Sequence, residues 1–481
     1  MKKLDLKTKI GYGMAGVGDS ALYALVGNFA IYFLTIIAGI PPATAGTIAA
    51  IGALWETICG AVIGNISDKT VTRFGKRKPY IMGAAFPLAV FTSLFFHTID
   101  AGNGFKTVYY GVMLVLFWTT FTIFFVPYLA WGAELTHDYH ERTVLRGYVF
   151  LFNSMGMATG MVLPMIIVEL FFRQGISTET GWQVVGIFCG ALSAITIFTG
   201  AFIIKDGCSQ SDTADRKADQ QIKIKEKLLL AFKNIRDLVR SYIEIIKLRC
   251  VRYILIASIA YLTAHAAFCA DRMYFFKYNM RLSAGEITTV MFLLTFASVV
   301  FLPVVLTLNK YIDKKYIFIG GMGVCVFVIT VLGVTGIRSF TVLCVYSMAY
   351  CVGGISYWQL VPSMLYDACE ADQLINEKQR AGTVISLQSL AESFANATGL
   401  QIFGIALGIS GFNGAAYEQS ETALNAVRII FTYAPAVMMV IAIIFIIRYP
   451  ITERMYDDIT VALRKREAGE KIDMSRYERL R

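Results

Sequence analysis

What most constrains this chain is the recurrence of long apolar stretches separated by short polar ones. A helix crossing a hydrocarbon core of about 30 Å needs roughly 20 mostly apolar residues. Stretches of that kind lie near 10–38, 41–65, 79–97, 107–132, 147–171 and 182–204, and again near 251–276, 285–309, 315–336, 340–366, 382–410 and 425–448. Composition agrees: 56% of the residues are hydrophobic and 16% charged, against roughly 45–50% and about 25% in an average soluble domain. A soluble fold of this size could not hide so much apolar surface. That excludes a cytosolic enzyme, a secreted disulfide scaffold and a disordered chain, and leaves an all-α polytopic membrane protein of twelve spans.

An even number of spans puts both termini on one side, and the basic residues say which. Of the 44 Lys and Arg, 37 fall in the tails and in the loops on the terminus side, so both termini are expected in the cytoplasm. The basic start, Met1–Lys9, leads to no short apolar region with a cleavage site, so the first span is expected to be retained. The interval 205–250 divides the spans six and six. Its first part is a polar linker, and 222–248 has apolar residues at helical spacing among basic ones. That suits either a helix lying at the inner leaflet or one covering the span ends. The expected units are a first bundle over 1–204, the linker at 205–250, a second bundle over 251–448 and a cytoplasmic tail at 449–481.

The nine cysteines form no CxxC pair and sit mostly in apolar runs, so they read as small core residues. Gly11-Tyr-Gly13-Met-Ala-Gly16 matches a dinucleotide fingerprint in letters only. No strand precedes it, and small residues allowing close helix approach explain it better. His137-Asp-Tyr-His140, near Glu134, lacks further ligands and reads as a solvated loop rather than a zinc site. No catalytic constellation, metal site or cofactor motif is present, so the chain is not expected to be an enzyme. A net charge of +10 distributed by topology does not point to nucleic acid.

Two loops carry more information. Between spans two and three runs Gly64-Asn-Ile-Ser-Asp68 and then Arg73-Phe-Gly75-Lys-Arg77-Lys-Pro79. Asp68, Arg73 and Arg77 can form ion pairs between helix ends, Gly75 permits a tight turn, and Pro79 suits a first helical turn. Such pairs could close the cytoplasmic face in one state and break in another. Val126-Pro127, followed by Glu134 and Arg142, is echoed by Val361-Pro362, followed by Asp367 and Arg380, at the corresponding place in the second half. This indicates an internal duplication, and all of these charged residues are candidate gating groups.

The Gly64…Pro79 loop, together with Tyr366-Asp367…Glu370-Ala-Asp372…Lys378-Gln-Arg380-Ala-Gly382-Thr, resembles the glycoside–pentoside–hexuronide:cation symporters of the major facilitator superfamily. Gly18-Asp19 and Trp55-Glu56 align with the same family. The resemblance implies two six-helix bundles working by alternating access, and uptake of a sugar or related solute with H⁺ or Na⁺. Departures from the family's melibiose carriers bear on ion and substrate. Those carriers have two acids one turn apart on span two, whereas here Glu56 is followed by Gly60. Their span-four acid aligns with Phe125, their span-five arginine with about Phe150, and their span-eleven lysine with Glu392 or Ser393. A lone carboxylate makes a poor sodium cage and an adequate proton carrier, so H⁺ is favoured and melibiose itself is not implied.

An acid inside a membrane is costly and marks function. Asp19, Glu56 and Glu392 each lie about 13–15 Å along their spans, near one plane. The resemblance gives Asp19 hydrogen bonds from sugar hydroxyls and, with Glu56, the coupling cation. Trp118, Tyr128, Asn153, Trp358, Gln388 and Glu392 are further candidates for the substrate, as aromatic platforms and polar partners. Asp271-Arg272, about 30 Å up span seven, reads as an interfacial ion pair or as an entry site for an anionic substrate. His265 is a satisfied core histidine or a proton relay. The expected protein is a monomeric multi-pass carrier in the cell membrane whose partners are a sugar and the bilayer. A lysolipid carrier of the same fold and a membrane sensor using 222–248 remain as other readings.

Overall fold

The computed structural model describes residues 4–70, 72, 75–135, 139–204, 239–378, 380–416, 418–468, 470 and 473–480. Among these residues the chain forms twelve long helices. The first six are α1 (Leu6–Tyr32), α2 (Pro42–Lys69), α3 (Lys78–Phe95), α4 (Asn103–Glu134), α5 (Tyr139–Arg173) and α6 (Thr178–Ile203). The second six are α7 (Arg249–Tyr274), α8 (Ala284–Leu308), α9 (Lys314–Thr335), α10 (Phe340–Asn376), α11 (Ala381–Ile409) and α12 (Glu421–Ile447). A shorter α13 (Glu453–Glu467) follows.

Eleven helices among the described residues are long and apolar enough to cross a membrane. The one that differs from expectation is α11: its 29 residues suffice in length, but Gln388, Ser389, Glu392, Ser393 and Asn396 interrupt its apolar character. A helix can be this polar at membrane depth when it packs on other helices, and α11 lies against α2 and α7.

Local sequence sets the helix ends. Pro42 opens α2, where a missing backbone N–H costs nothing. Ser177, Ser339 and Ser420 cap the N-termini of α6, α10 and α12, and Ser283 forms a full capping box with Glu286 at α8. Pro127 and Pro362, expected at span ends, instead lie inside α4 and α10. Both helices run on beyond the hydrocarbon into the face that carries the termini.

The duplication is explicit in the packing. In the first half α1 packs on α5 and α6, α2 on α4, and α3 on α4 and α6. Adding six to each label gives the second half: α7 on α11 and α12, α8 on α10, and α9 on α10 and α12. The contacts between the halves, α1 with α7, α2 with α11 and α5 with α8, map onto themselves under the same exchange. Even the ends of α1 and α7 match, since each runs into a five-residue π turn, Phe33–Ile37 and Phe275–Asn279. The hydrogen bonds after the turns correspond: Ala38 N–H to Phe33 O and Ile40 N–H to Leu34 O, against Met280 N–H to Phe275 O and Leu282 N–H to Phe276 O.

The glycines of α1 do what close helix approach requires. A Cβ on Gly11 would meet the Gly200 carbonyl at 3.0 Å, and one on Gly18 would meet Ser193 Cα at 2.8 Å. The first half therefore closes around α1, with Ser193 Oγ donating to Gly18 O at 3.0 Å. The eight described cysteines are free thiols.

Candidate functional site

Between the halves, every described side-chain hydrogen bond lies at the midplane or toward the face opposite the termini, here called the distal face. Thr57 Oγ1 donates to Ser393 Oγ, joining α2 to α11. Thr295 Oγ1 donates to Met161 Sδ at 3.6 Å, joining α8 to α5. Nearer the distal face, Tyr274 OH bonds Thr35 Oγ1 and donates to Ile31 O at 3.2 Å, and Lys277 Nζ donates to Tyr32 OH at 3.0 Å. Close backbone passage of Gly46 and Gly404 seals α2 against α11 there. No hydrogen bond or ion pair joins the two halves near the terminus face among the described residues. The distal side is closed.

Beneath this closure lie the three intramembrane acids. Asp19 is 6% exposed on α1 and Glu56 is half-buried on α2; neither makes a hydrogen bond or ion pair among the described residues. The two carboxylates are within electrostatic reach of each other. The Tyr23 hydroxyl, one turn beyond Asp19, is within reach of Asp19, Glu56, Glu392 and the Cys269 thiol. These groups come from α1, α2, α7 and α11, so the expected convergence of the acids is what the fold produces.

The two walls are built differently. On the first half, Trp118 stands edge-on to Tyr23 with centroids 6.1 Å apart. It also lines a cavity of about 50 Å³ with Asn28, Ala53, Ala270 and Leu400. On the second half, Gln388 Nε2 lies 2.9 Å from Ser258 Oγ, 3.0 Å from Glu392 Oε1 and 3.4 Å from Tyr357 OH. Tyr261 and Tyr357 stack at 4.3 Å, and Trp358, half exposed, stands edge-on to His265 at 6.3 Å. His265 Nδ1 is 3.0 Å from Tyr350 OH, so this histidine is satisfied in the core.

Not every sequence candidate joins this group of side chains. Tyr128 is sealed inside the first half, donating from its hydroxyl to Tyr12 O at 2.9 Å while Tyr12 returns the same bond to Tyr128 O. With its amide nitrogen turned to α1, Asn153 donates to Gly16 O at 3.1 Å and Val149 O at 3.3 Å. Both side chains hold helices together here. Asp271 and Arg272 form no ion pair with each other among the described residues, since successive helical residues point about 100° apart, and both are buried, 0% and 5% exposed. Tyr23 was not singled out by sequence, although its i+4 spacing from Asp19 was a usable signal.

At the terminus face, Gly75 takes φ +91° and Thr72 Oγ1 donates to its carbonyl at 2.7 Å, forming the tight turn expected between α2 and α3. Arg77 is buried and donates to Ser67 Oγ at 2.8 Å. Arg73 lies outside the described residues, as do the side chains of Asp68, Glu134 and Arg142. In the second half, Lys314 Nζ pairs with Asp367 at 2.7 Å. Arg380 joins Asp372 and Glu244 at 2.8 Å each. The two positive side chains of Arg380 and Lys378 push the Glu244 carboxyl down to about 2. Glu244 belongs to a helical stretch described over 239–247, which docks on the start of α11. The rest of the expected amphipathic segment, 222–238, lies outside the described residues, as does His137.

A twofold-repeated bundle of twelve helices, with unpaired acids between halves closed at one face, defines a membrane transporter of the major facilitator class. Residues 11–453 match the family described as MFS/sugar transport protein, and the chain belongs to that family. It is similar to the isoprimeverose transporter of Lactiplantibacillus pentosus, 23% identical over 91% of this chain and 88% of that one. It also resembles an uncharacterized symporter of Synechocystis, 24% identical over 98% and 99%. Among solved structures, a D-xylose–proton symporter superposes with a TM-score of 0.61 at 12% identity, covering 92% of this chain and 96% of that one.

Proposed function

We propose that this protein is a symporter that takes up a glycoside or related sugar with protons, working by alternating access with its terminus face in the cytoplasm. The basic-residue bias supports that orientation, and the names of its relatives support sugar as the cargo. The observation that carries the reading is the pair of carboxylates, Asp19 and Glu56, left without partners between the halves.

Asp19 accepts hydrogen bonds from sugar hydroxyls, and Trp118 and Trp358 offer aromatic faces to the ring. Gln388 and Glu392 add polar contacts from the other half. Glu56 carries the coupling proton. An ionised carboxylate without a counter-charge resists being sealed between packed helices. Binding a proton removes that charge and lets the loaded carrier close on the distal side and open to the cytoplasm. Sodium would need several oxygen ligands around one ion, and the position one turn after Glu56 is Gly60, which offers no side-chain oxygen. Ion pairs among Asp68, Arg73, Arg77, Glu134 and Arg142, and among Asp367, Arg380 and their neighbours, control closure of the cytoplasmic face.

The test is uptake into proteoliposomes. Glu56→Gln is expected to abolish accumulation driven by an imposed pH gradient while leaving exchange of internal for external sugar. Unchanged uphill accumulation in this variant would refute the assignment.

A further inference from the structure

One glycine of α1 is unlike the rest. A Cβ on Gly11, Gly13, Gly16 or Gly18 would meet a neighbour at 3.0 Å or less, whereas one on Gly27 would meet nothing within 4 Å. Glycine weakens a helix interior, and at Gly27 no close helix approach offsets that. What the missing side chain leaves is space. Gly27 lines the cavity of about 50 Å³ that Trp118 shares with Asn28, Ala53, Ala270 and Leu400.

The cavity lies between the acids and the distal closure. Gly27 is about two turns beyond Asp19 on α1, and Ala53 about one turn from Glu56 on α2. Ile31 also lines the cavity, and its carbonyl accepts the Tyr274 hydroxyl of the distal closure at 3.2 Å. Trp118 connects the cavity to Tyr23, their ring centroids 6.1 Å apart. Both halves contribute to it: Asn28 and Ala270 each lie five residues before the start of their π turns at Phe33 and Phe275.

Its lining is apolar apart from the Trp118 indole and the Asn28 amide. Asn28 Nδ2 donates to Ala24 O at 2.6 Å, and its side-chain oxygen has no donor among the described residues. A buried water needs two to four polar partners and takes roughly 30 Å³. This cavity offers fewer partners and nearly twice the room, enough for two non-hydrogen atoms, one apolar and one a hydroxyl, and too little for a sugar ring.

We propose that the cavity receives the hydroxymethyl arm of a hexose, so that Gly27 and Asn28 determine specificity. This rests on the sugar-symport reading and deepens it. The CH₂ group fills the space before Gly27, the hydroxyl donates to Asn28 Oδ1, and the sugar ring stays beside Trp118 and Asp19. A pentose leaves the cavity empty. A 6-deoxy sugar fills it and leaves the Asn28 oxygen unpaired, which costs affinity.

The experiment is pH-gradient-driven uptake by the full chain in proteoliposomes. Methyl β-D-glucoside is paired with methyl β-D-xyloside, and methyl β-D-galactoside with methyl α-L-arabinopyranoside, each pentoside lacking only the arm. In at least one pair the hexoside is expected to enter roughly tenfold or more faster than the pentoside. Gly27→Val should lower hexoside uptake about tenfold or more relative to pentoside uptake, with Gly27→Ala between. Asn28→Ala should remove the advantage of the hexoside over its 6-deoxy analogue. Equal loss of both sugars in Gly27→Val would make the cavity a part of the distal closure and overturn the proposal, as would an undiminished hexoside preference. If the variants do not assemble, the wild-type rankings decide alone. Equal or faster uptake of the pentoside in both pairs defeats the pocket and leaves sugar symport standing. Uptake of none of the probes defeats both.

Discussion

The two halves of the protein differ in how their intramembrane acids are held. On the first half, Asp19 and Glu56 have no hydrogen-bond or ion-pair partner among the described residues, and Tyr23, one turn beyond Asp19, stands edge-on to Trp118. On the second half, Glu392 is tied by Gln388 to Ser258 and Tyr357, inside a stack of Tyr261, Tyr357 and His265. Two halves that repeat the same packing thus differ in their freedom to respond. An unpartnered carboxylate can change its charge or its ligand without breaking protein contacts. One inside a hydrogen-bonded network is pre-organised for binding and costly to disturb. In the proposed scheme the difference suits Glu56 of the first half to ion coupling and Glu392 of the second to substrate orientation.

The sharpest way to break this assignment is to neutralise the acids one at a time. Glu392→Gln should keep uphill accumulation and raise the substrate concentration for half-maximal uptake, in contrast to the loss of coupling expected of Glu56→Gln. If the two variants behave alike, the division of labour is wrong. Asp19→Asn removes a charged acceptor and should weaken sugar binding about 10- to 100-fold, or ~1.5–3 kcal/mol, by calorimetry on purified protein. Gln388→Ala leaves Ser258 and Glu392 without their shared donor. It should lower thermal stability by about 1–3 kcal/mol and affinity with it.

Smaller effects test the closures. Thr57→Val deletes the α2–α11 hydrogen bond, and a loss of about 1 kcal/mol would move the conformational balance roughly fivefold away from the distal-closed state. Cross-linking yields at the distal face report this. The docked helix 239–247 gives a pH signature. Glu244 titrates near 2 when docked and near its ordinary value when released. Docking is therefore fully supported above about pH 4.5 and lost as pH falls toward 2. Glu244→Gln should flatten that dependence in a limited-proteolysis assay at the linker.

Much of this was legible in the sequence because the membrane imposes one rule, about 20 apolar residues per crossing, and because a buried acid is too costly to be incidental. The twelve helices and the convergence of Asp19, Glu56 and Glu392 follow from those two constraints, and the tight turn at Gly75 from the positive φ that glycine allows. The lengths of α4 and α10 did not, since proline tolerated within a long helix resembles a helix end in sequence. Nor did the roles of Tyr128 and Asn153: a polar side chain in a span reads the same whether it faces a chamber or bonds a neighbouring backbone. Asp271-Arg272 looked like a pair because adjacent letters suggest adjacent charges, whereas helical geometry turns them apart.

The central claim is that Glu56 moves a proton with each sugar. The direct measurement is the external pH of a lightly buffered suspension of proteoliposomes, without a sodium gradient, when sugar is added. Wild-type protein should produce a transient alkalinisation as protons enter with the sugar, and Glu56→Gln should take up sugar downhill with no pH change. Sugar entry without alkalinisation in the wild type, or an undiminished pH signal in Glu56→Gln, would contradict the account.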